Sequence, residues 1–345
     1  MHSHPSKIYA LAQRAAIQPV SWSRASAANC RIWVKRDDLL HEAVSGNKLF
    51  KLFYYLHEAA AVKSCGIISF GGAYSNHLYA LAKVAQAINL PSVGIIRGEE
   101  CDLQNPTLAE LNTCGMQLQR VDRTSYRHKT SAEFNAQLTE QYPGYYLIPE
   151  GGAGVLGAQG FADYAEAVSA QLINNDLAMD SIWLPAGTGT SVAGLAARWH
   201  NIQAVCALAL NEPATYTQAI AAWTRQLCQA QPSLKPYPIA WHGFALPFGK
   251  LTASILEACR AFWCETGLLF DPIYGGKVLL ALQKAFDSGL RNQHILIIHT
   301  GGVQGWRGFF SRKNNIPDEI EHAVTAYFAD KTSFILDDTD LTLGI

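Results

Sequence analysis

The chain has 345 residues, enough for one large or two ordinary domains that each bury a hydrophobic core. Hydrophobic residues make up 49% and charged residues only 16%, which favours extensive burial, including burial against a second copy of the chain. The 27 basic and 28 acidic residues leave a net charge of −1, and this balance argues against nucleic acid or an anionic membrane as a partner.

Eight cysteines are scattered without a C-x-x-C pair or an alternating Cys/His spacing. We therefore predict reduced thiols and no metal site. The start of the chain lacks the charged and apolar regions of a signal peptide, and no apolar run reaches the length of a membrane span. We expect a cytoplasmic protein.

Strands and helices are predicted to alternate along most of the chain. Residues 10–20 indicate an arm that ends in a proline turn, and a short strand follows at 30–34. After a helix that begins near Lys48, the first run consists of strand 66–70, helix 78–88, strand 92–96, helix 108–114 and strand 117–121. The second run consists of helix 158–173, strand 181–184, helix 191–200, strand 204–210, helices 255–266 and 276–288, and strand 294–300. The tail after Pro317 is acidic and gives no prediction.

This alternation is typical of doubly wound, parallel α/β sheets, and we predict two such open-sheet domains. The glycine-rich residues 146–154 lie where the first run passes into the second, and we place a hinge near them. The predicted large domain consists of residues 1–50 and 160–345, and the small domain of residues 51–159. Ligands bind at the carboxyl ends of parallel strands, where the glycine-rich segments of this chain lie.

The tetrapeptide Ser45-Gly46-Asn47-Lys48 separates a predicted strand from a predicted helix. A lysine at a helix start lies among unpaired backbone N–H groups at the positive helix end, which lowers the pKa of its amine. A lysine that forms a Schiff base with an aldehyde cofactor needs such an amine, and Gly46 allows close backbone approach. The alternative is an ordinary solvated lysine, so this hypothesis depends on further motifs.

The segment Gly187-Thr188-Gly189-Thr190 follows an apolar strand and offers backbone N–H groups and two hydroxyls to a phosphate. Glu212 lies where a dinucleotide fold places its ribose-binding acid, but Val192 interrupts the spacing G-x-G-x-x-G. No P-loop sequence occurs, so a small monophosphate is favoured over a nucleotide. A tight turn without a ligand is the alternative.

The segment Ser75-Asn76-His77 also begins a predicted helix after a strand. Its hydroxyl, amide and backbone N–H groups suit a substrate carboxylate or a phenolate oxygen. A serine hydrolase is disfavoured because the sequence lacks G-x-S-x-G, and the alternative is that Ser75 or Asn76 only caps the helix. Tyr274 precedes a glycine pair at another helix start, and Thr300 ends the last strong strand with a hydroxyl and no charge.

Together these segments resemble the fold type II pyridoxal 5′-phosphate enzymes, whose fold is like that of tryptophan synthase beta. More narrowly, the sequence resembles the family of D-cysteine desulfhydrase and 1-aminocyclopropane-1-carboxylate deaminase. The resemblance extends over residues 34 to 305 and rests on six segments: Lys-Arg-Asp-Asp at 35–38, Ser-Gly-Asn-Lys at 45–48, Ser-Asn-His at 75–77, Pro-Glu-Gly-Gly at 149–152, Asp-Pro-x-Tyr at 271–274 and His-Thr-Gly-Gly at 299–302.

The resemblance implies that pyridoxal 5′-phosphate is the cofactor. Lys48 would hold it and move protons at the substrate Cα, Asn76 would hydrogen-bond its 3′ oxygen, and Thr300 would meet its pyridine nitrogen. The phosphate would be bound by four residues: Gly187, Thr188, Gly189 and Thr190.

The resemblance also implies the substrate-binding residues. Ser75, Asn76 and His77 would bind the carboxylate of a small amino acid, and Tyr274 would stand beside the substrate. The predicted catalytic residues are Lys48, Ser75 and Tyr274. A homodimer is what the family suggests.

The partner of the pyridine nitrogen distinguishes two branches of the family. A threonine hydroxyl does not keep this nitrogen protonated, so the ring is a weaker electron sink, which suits loss of a β substituent better than opening of a cyclopropane. Deaminases resemble one another in a glutamate after the tyrosine and a leucine before the glycine pair, where this chain has Gly275 and Thr300. His77 also matches the desulfhydrase branch.

We therefore predict β-elimination from D-cysteine, with pyruvate, ammonia and hydrogen sulfide as products. The alternatives are a 1-aminocyclopropane-1-carboxylate deaminase, a lyase for another β-substituted alanine such as L-cysteate, and a protein that only binds an amino acid or the cofactor. Phe248 stands where the family often has a second tyrosine, and Tyr74 where glutamine is expected. Both changes affect the predicted substrate pocket and leave the cofactor residues intact.

Overall fold

In this computed structural model, the described residues are 4–44, 46–99, 101–207, 213–244, 248–310, 316–338 and 340–342. Ser45 and Glu212, which the sequence analysis named, lie outside them, as does the end of the strand predicted at 204–210. Among the described residues, no helix combines the length and the apolar character needed to cross a membrane.

Ten strands and fourteen α-helices follow one another along the described chain. The strands are β1 Ile17–Val20, β2 Arg31–Lys35, β3 Gly66–Gly71, β4 Ser92–Arg97, β5 Met116–Val121, β6 Tyr145–Leu147, β7 Ser181–Ala186, β8 Ile202–Cys206, β9 Ile239–His242 and β10 His294–Ile298. The helices are α1 His4–Arg14, α2 Ser23–Ala27, α3 Asn47–Ala61, α4 Asn76–Ala87, α5 Pro106–Thr113, α6 Arg123–Arg127, α7 Ala132–Gln141, α8 Val155–Asn174, α9 Thr190–Leu195, α10 Pro213–Ala230, α11 Ala253–Thr266, α12 Gly275–Asp287, α13 Arg307–Phe310 and α14 Asp318–Ala329.

The strands form two sheets. The larger sheet has the order β1-β2-β10-β7-β8-β9, and all of its pairs except β1–β2 are parallel. The smaller sheet has the order β5-β4-β3-β6 and is entirely parallel. Helices connect most of the parallel strands, so the predicted doubly wound α/β class is confirmed. The predicted division at residues 51 and 159 stays a prediction.

The central strands are buried on both faces, as in parallel sheets covered by helices. Every residue of β3 and of β7 is buried. Helix α3 is buried along most of its length because Phe50 packs on Phe161 and Tyr164 of α8, with ring centroids 5.9 and 4.7 Å apart. A Cβ on Gly160 would stand 2.1 Å from the Phe50 carbonyl oxygen, so this crossing of α3 and α8 needs a glycine. The first turns of α3 are therefore packed closely against α8.

The amino-terminal prediction was wrong. Residues 10–20 form the end of α1 and the strand β1 rather than an arm and a turn. Pro19 pairs with Trp33 in β1, at the outer edge of the larger sheet. Proline is tolerated at such an edge, because the N–H group that it lacks is not needed for a hydrogen bond within the sheet. The tail after Pro317, for which no structure was predicted, contains α14.

Candidate active site

Backbone packing fixes the position of Lys48 in the first turn of α3. The N–H of Gly46 donates to the Asp37 carbonyl oxygen over 2.8 Å, and Gly46 has φ +62°. A Cβ on Gly46 would stand 2.0 Å from the carbonyl carbon of Thr300, so only glycine fits this contact. The N–H of Asn47 donates to the Thr300 carbonyl oxygen over 3.3 Å. The backbone of Thr300, two residues after the end of β10, therefore supports the start of α3.

The amine of Lys48 has the lowered pKa that a nucleophile needs. Burial lowers the pKa of Lys48 to about 8, and the negative charge of Asp271 partly opposes this decrease. The sequence analysis attributed a lowered pKa to the helix terminus, whereas burial is the larger cause. The ammonium donates a hydrogen bond to the side-chain oxygen of Asn47. An amine with this pKa is substantially neutral at mildly alkaline pH.

Lys51 lies one turn further along α3, and the sequence analysis missed it. Its side chain is only 4% exposed, yet its ammonium makes no hydrogen bond to any described residue. Burial, followed by repulsion from Lys48, lowers the pKa of Lys51 well below its usual value. A buried amine without an acceptor is costly unless an anion completes it, so Lys51 is a candidate anion ligand. Its signal in the sequence was a second lysine, three residues after Lys48, in a mostly apolar stretch of the helix.

The glycine loop, residues 187–190, connects β7 to α9. Gly189 has φ +81° and directly precedes α9, and the Thr188 and Thr190 hydroxyl oxygens lie 2.9 Å apart. Thr190 is fully buried. The loop therefore presents hydroxyls and a left-handed glycine at the carboxyl end of a buried strand, as a phosphate site requires.

A second glycine-rich turn joins this loop to Lys51. A Cβ on Gly151 would stand 2.7 Å from Cγ2 of Thr188, and a Cβ on Gly152 would stand 3.1 Å from Cβ of Lys51. Both glycines have positive φ, +69° and +65°. Loop, turn and lysine thus form one cradle that combines N–H groups, hydroxyls and a cation, which is a donor set suited to phosphate.

Asn76 begins α4 and lies against the segment after β10. A Cβ on Gly302 would stand 2.7 Å from Nδ2 of Asn76, and Nε2 of Gln304 donates to Oδ1 of Asn76 over 2.9 Å. Because the amide oxygen is engaged, the Asn76 NH₂ group is left to donate to an oxygen of a ligand. Gln304 is a further residue that the sequence analysis missed, since it belongs to no recognisable motif.

Ser75 has the capping role that the sequence analysis gave as its alternative. Its hydroxyl oxygen accepts the N–H of Leu78 over 3.2 Å at the start of α4. The hydroxyl proton is still free to donate, so capping and ligand binding are compatible. The predicted contact of Ser75 with a substrate stays a prediction.

His77 is a neutral, buried ring. The Ser69 hydroxyl donates to the Ile148 carbonyl oxygen over 2.7 Å, so it accepts a hydrogen bond from Nε2–H of His77 at 2.8 Å. Nδ1 then carries the lone pair and has no hydrogen-bond partner among the described residues. Burial, followed by the charges of Lys48 and Lys51, lowers the pKa of His77 to about 3. Its predicted contact with a substrate carboxylate stays a prediction.

His299 fixes the backbone around Thr300. Nδ1 of His299 accepts the N–H of Gly301 over 3.2 Å, so Nε2 carries the proton and donates to the Leu269 carbonyl oxygen over 2.9 Å. Thr300 itself is 9% exposed and offers a hydroxyl beside the start of α3. The side chain predicted to meet the pyridine nitrogen is therefore an uncharged hydroxyl and not a carboxylate.

Asp271 fixes the turn that carries Tyr274. Its carboxylate accepts the N–H groups of Tyr274 and Gly275, both over 2.8 Å. The Tyr274 ring lies over the glycine loop, because a Cβ on Gly187 would stand 3.1 Å from its Cε1. Burial, followed by the charges of Asp271 and Glu150, raises the pKa of Tyr274, so its hydroxyl stays protonated and can donate.

Two aromatic side chains, Phe248 and Tyr74, lie near the candidate site residues. The Phe248 ring is 6.0 Å from the Tyr274 ring between centroids, and Phe248 is 43% exposed. The Tyr74 ring packs on Gly308, where a Cβ would stand 2.8 Å from Cδ1 of the ring. These residues differ from the family pattern, and neither is among the predicted phosphate donors.

The site as a whole is suited to a phosphorylated aldehyde. Lys48 would supply the amine, the cradle around Lys51 would supply the phosphate donors, and the NH₂ group of Asn76 would supply a donor for a ring oxygen. The sequence matches the family described as "Pyridoxal-phosphate dependent enzyme" over residues 16–301. The chain belongs to this family, and it is an enzyme that uses pyridoxal phosphate.

Particular relatives narrow the class. The chain is 27% identical over 291 residues to a D-cysteine desulfhydrase of Serratia proteamaculans, a match that covers 79% of this chain and 86% of the relative. It is 27% identical over 296 residues to a bifunctional D-cysteine desulfhydrase/1-aminocyclopropane-1-carboxylate deaminase of Arabidopsis thaliana, covering 79% and 73%. The resemblance to the desulfhydrase and deaminase family is therefore confirmed.

The fold agrees with this assignment. A solved structure described as an ACC deaminase homologue superposes with a TM-score of 0.76 at 23% identity and covers 94% of this chain and 100% of its own. A serine racemase of Dictyostelium discoideum superposes with a TM-score of 0.60, covering 86% and 97% at 14% identity. The predicted fold type II architecture is confirmed.

Proposed function

We propose that this enzyme is a lyase that eliminates the thiol of D-cysteine. With one water the balance is D-cysteine + H₂O → pyruvate + NH₃ + H₂S. The observation that carries the proposal is that Lys48, an amine of lowered pKa, begins a helix whose backbone is hydrogen-bonded to Thr300. The side chain of Thr300 ends in an uncharged hydroxyl. Pyridoxal phosphate, when bound, supplies an electron-withdrawing ring that acidifies the Cα–H bond of the attached amino acid and allows a β substituent to leave.

Lys48 holds the cofactor and then carries the proton. Its pKa of about 8 allows the amine to accept the proton from Cα at mildly alkaline pH. Asp271, which is buried with three backbone N–H groups on its carboxylate, limits the decrease in the pKa of Lys48. The proton can therefore be taken up and released by the same amine.

Other residues bind and orient. The cradle of glycine loop and Lys51 binds the phosphate, and Asn76 donates to the ring oxygen. The first turn of α4 binds the substrate carboxylate through the Ser75 hydroxyl and the free N–H groups of the helix end. The protonated hydroxyl of Tyr274 donates a hydrogen bond to the departing sulfur.

The names of two relatives support D-cysteine as the substrate. The Serratia relative is named for D-cysteine desulfhydrase activity, and the Arabidopsis relative is named for both desulfhydrase and deaminase activities. The second name keeps 1-aminocyclopropane-1-carboxylate as the other candidate substrate. We also propose a homodimer, because only 16% of the residues are charged, and a cytoplasmic location.

The test is a spectrum and an assay on one preparation. The purified protein with pyridoxal phosphate should be yellow and should release pyruvate and sulfide in equal amounts from D-cysteine. Lys48→Ala should be colourless at the same protein concentration and should lose activity by about 10³-fold or more. L-Cysteine, L-cysteate and 1-aminocyclopropane-1-carboxylate are the comparison substrates. A yellow protein that turns over one of these and ignores D-cysteine would overturn the proposed substrate but not the cofactor site.

A further inference from the structure

The segment that follows β10, residues 302–308, reaches across to the smaller sheet. Gln304 donates to Asn76, and the backbone of Gly308 lies against the ring of Tyr74. Both contacts lie at the first turn of α4 or directly before it. The carboxyl end of the larger sheet thus touches the helix that carries the predicted ligand-binding groups of the smaller sheet.

An ion pair continues this contact. Nη1 of Arg307 donates to Oε2 of Glu110 on α5 over 2.9 Å. The other carboxylate oxygen of Glu110 accepts the hydroxyl of Tyr79 over 2.6 Å, and Tyr79 lies one turn after Ser75 on α4. The guanidinium of Arg307 stands 4.4 Å from the ring centroid of Phe328 on α14. Four elements therefore meet at one carboxylate and one guanidinium.

The arrangement is stronger than an ordinary surface ion pair. The side chains of Arg307 and Glu110 are 28% and 29% exposed, and each has a second partner. Isolated exposed ion pairs contribute little to stability, partly because ordering two side chains costs conformational entropy. Here the carboxylate is bound at both oxygens and the guanidinium lies over a ring, so several contacts share that cost. Tyr79 is almost fully buried, so its hydroxyl depends on Glu110 as an acceptor.

We propose that Glu110 and Arg307 are positioning residues, which hold the first turn of α4 against the segment after β10 and so keep Ser75 and Asn76 in register with Lys48 and its cofactor. Neither residue touches substrate. The proposal rests on the assignment of Ser75 and Asn76 to the site, and it does not depend on D-cysteine as the substrate.

The test compares Arg307→Met with Arg260→Met, both prepared with pyridoxal phosphate. Arg260 on α11 pairs with Glu319 on α14 at 40% and 44% exposure, and it is the control because neither residue belongs to α4, to α5 or to the segment after β10. Two quantities are measured: backbone amide hydrogen exchange of a peptide that spans residues 74–82, and the dissociation constant of pyridoxal phosphate from a titration of the visible band. Glu110→Gln, which keeps the shape of the side chain, serves if Arg307→Met does not fold.

We expect Arg307→Met to speed exchange in the α4 peptide about tenfold or more and to weaken cofactor binding several-fold. Arg307→Lys should recover part of both, and Arg260→Met should change neither. The double variant Glu110→Gln/Arg307→Met should be no worse than the poorer single variant, because the two residues act through one contact. Exchange and cofactor affinity in Arg307→Met that match Arg260→Met would overturn the proposal, whatever substrate the enzyme takes.

Discussion

The proposed cofactor side and the proposed substrate side of the candidate site are built differently. On the cofactor side, backbone meets backbone: Gly46 lies on Thr300, and a Cβ on Gly157 would stand 2.2 Å from the Gly152 carbonyl oxygen. On the substrate side, Phe248 and Tyr74 contact their neighbours through side-chain rings, and Phe248 is 43% exposed. Close backbone contacts admit few substitutions, whereas a ring at the edge of a cleft can change without disturbing the fold.

The two sides differ in what they reveal about function. The cofactor side identifies the chemistry, because an amine, a phosphate cradle and a hydroxyl at fixed spacing suit one class of cofactor. We expect the substrate side to determine which amino acid enters, and its side chains depart from the family pattern. Four changes to the protein or its conditions test this contrast, beginning with the largest expected effect.

Gly46→Ala should destabilise the protein by about 3 kcal/mol or more, because the new Cβ would meet the Thr300 carbonyl at 2.0 Å. Gly267→Ala is the matched control, since Gly267 has a similar φ of +70° but nothing within 4 Å of its Cβ position. The control should cost only about 1–2 kcal/mol of left-handed backbone strain. Urea unfolding of both variants measures the difference. Equal losses would show that the contact with Thr300 does not hold the start of α3.

Lys51→Met should change affinity and stability in opposite directions. Removal of a buried, unpaired amine should stabilise the cofactor-free protein, while loss of a charged phosphate donor should weaken pyridoxal phosphate binding about 10- to 100-fold. The control is Lys35→Met, because Lys35 is buried but donates to the carbonyl oxygens of Ala12 and Ala15. That variant should lose stability. Thermal unfolding and cofactor titration report both effects, and a Lys51→Met protein with unchanged affinity would remove Lys51 from the cradle.

The rate at which cofactor-free protein takes up pyridoxal phosphate should rise with pH. The neutral amine of Lys48 is the reacting form, and the lowered pKa of about 8 places the midpoint of the increase near pH 8. Between pH 7 and pH 9 the rate should increase about tenfold, as the neutral fraction does. Stopped-flow absorbance follows the reaction. A midpoint near the ordinary lysine value of 10.5 would show that burial does not act on this amine.

Phe248→Tyr should have the smallest effect, and the effect should be confined to substrate. Phe248 is 43% exposed and is not one of the predicted phosphate donors, so cofactor affinity should be unchanged. The kcat/KM ratio between D-cysteine and 1-aminocyclopropane-1-carboxylate should shift by up to about tenfold. Steady-state kinetics with both substrates measures this. A shift in cofactor affinity instead would mean that the two sides are not separable at this residue.

The same contrast explains how much the sequence could predict. Lys48, the glycine loop and Thr300 were named as candidates because each follows a predicted strand, where the ligand sites of parallel sheets lie. Lys51 and Gln304 were missed because their roles depend on contacts with Gly152 and Asn76, which lie about 100 or more residues away in the chain. No local pattern records such contacts.

The fold shows a similar division. Long buried strands such as β3 and β7 were predicted within two residues, since apolar runs between turns carry a strong local signal. The edge strand β1 was missed because Pro19 is normally a sign of a turn, and only its place at the sheet edge makes it acceptable. Helix α14 was missed in an acidic tail, although Ile320 and Val324 on one face of it are buried.

The central claim is that two buried amines one turn apart on α3 have separate tasks: Lys48 binds the aldehyde and Lys51 the phosphate. The most direct measurement is peptide mapping by mass spectrometry after borohydride reduction of the cofactor-loaded enzyme. The account predicts that the reduced cofactor is attached to Lys48 in the wild-type protein and in Lys51→Met, and to no residue in Lys48→Ala. Attachment to Lys51 in the wild-type protein, or to another lysine, would contradict it.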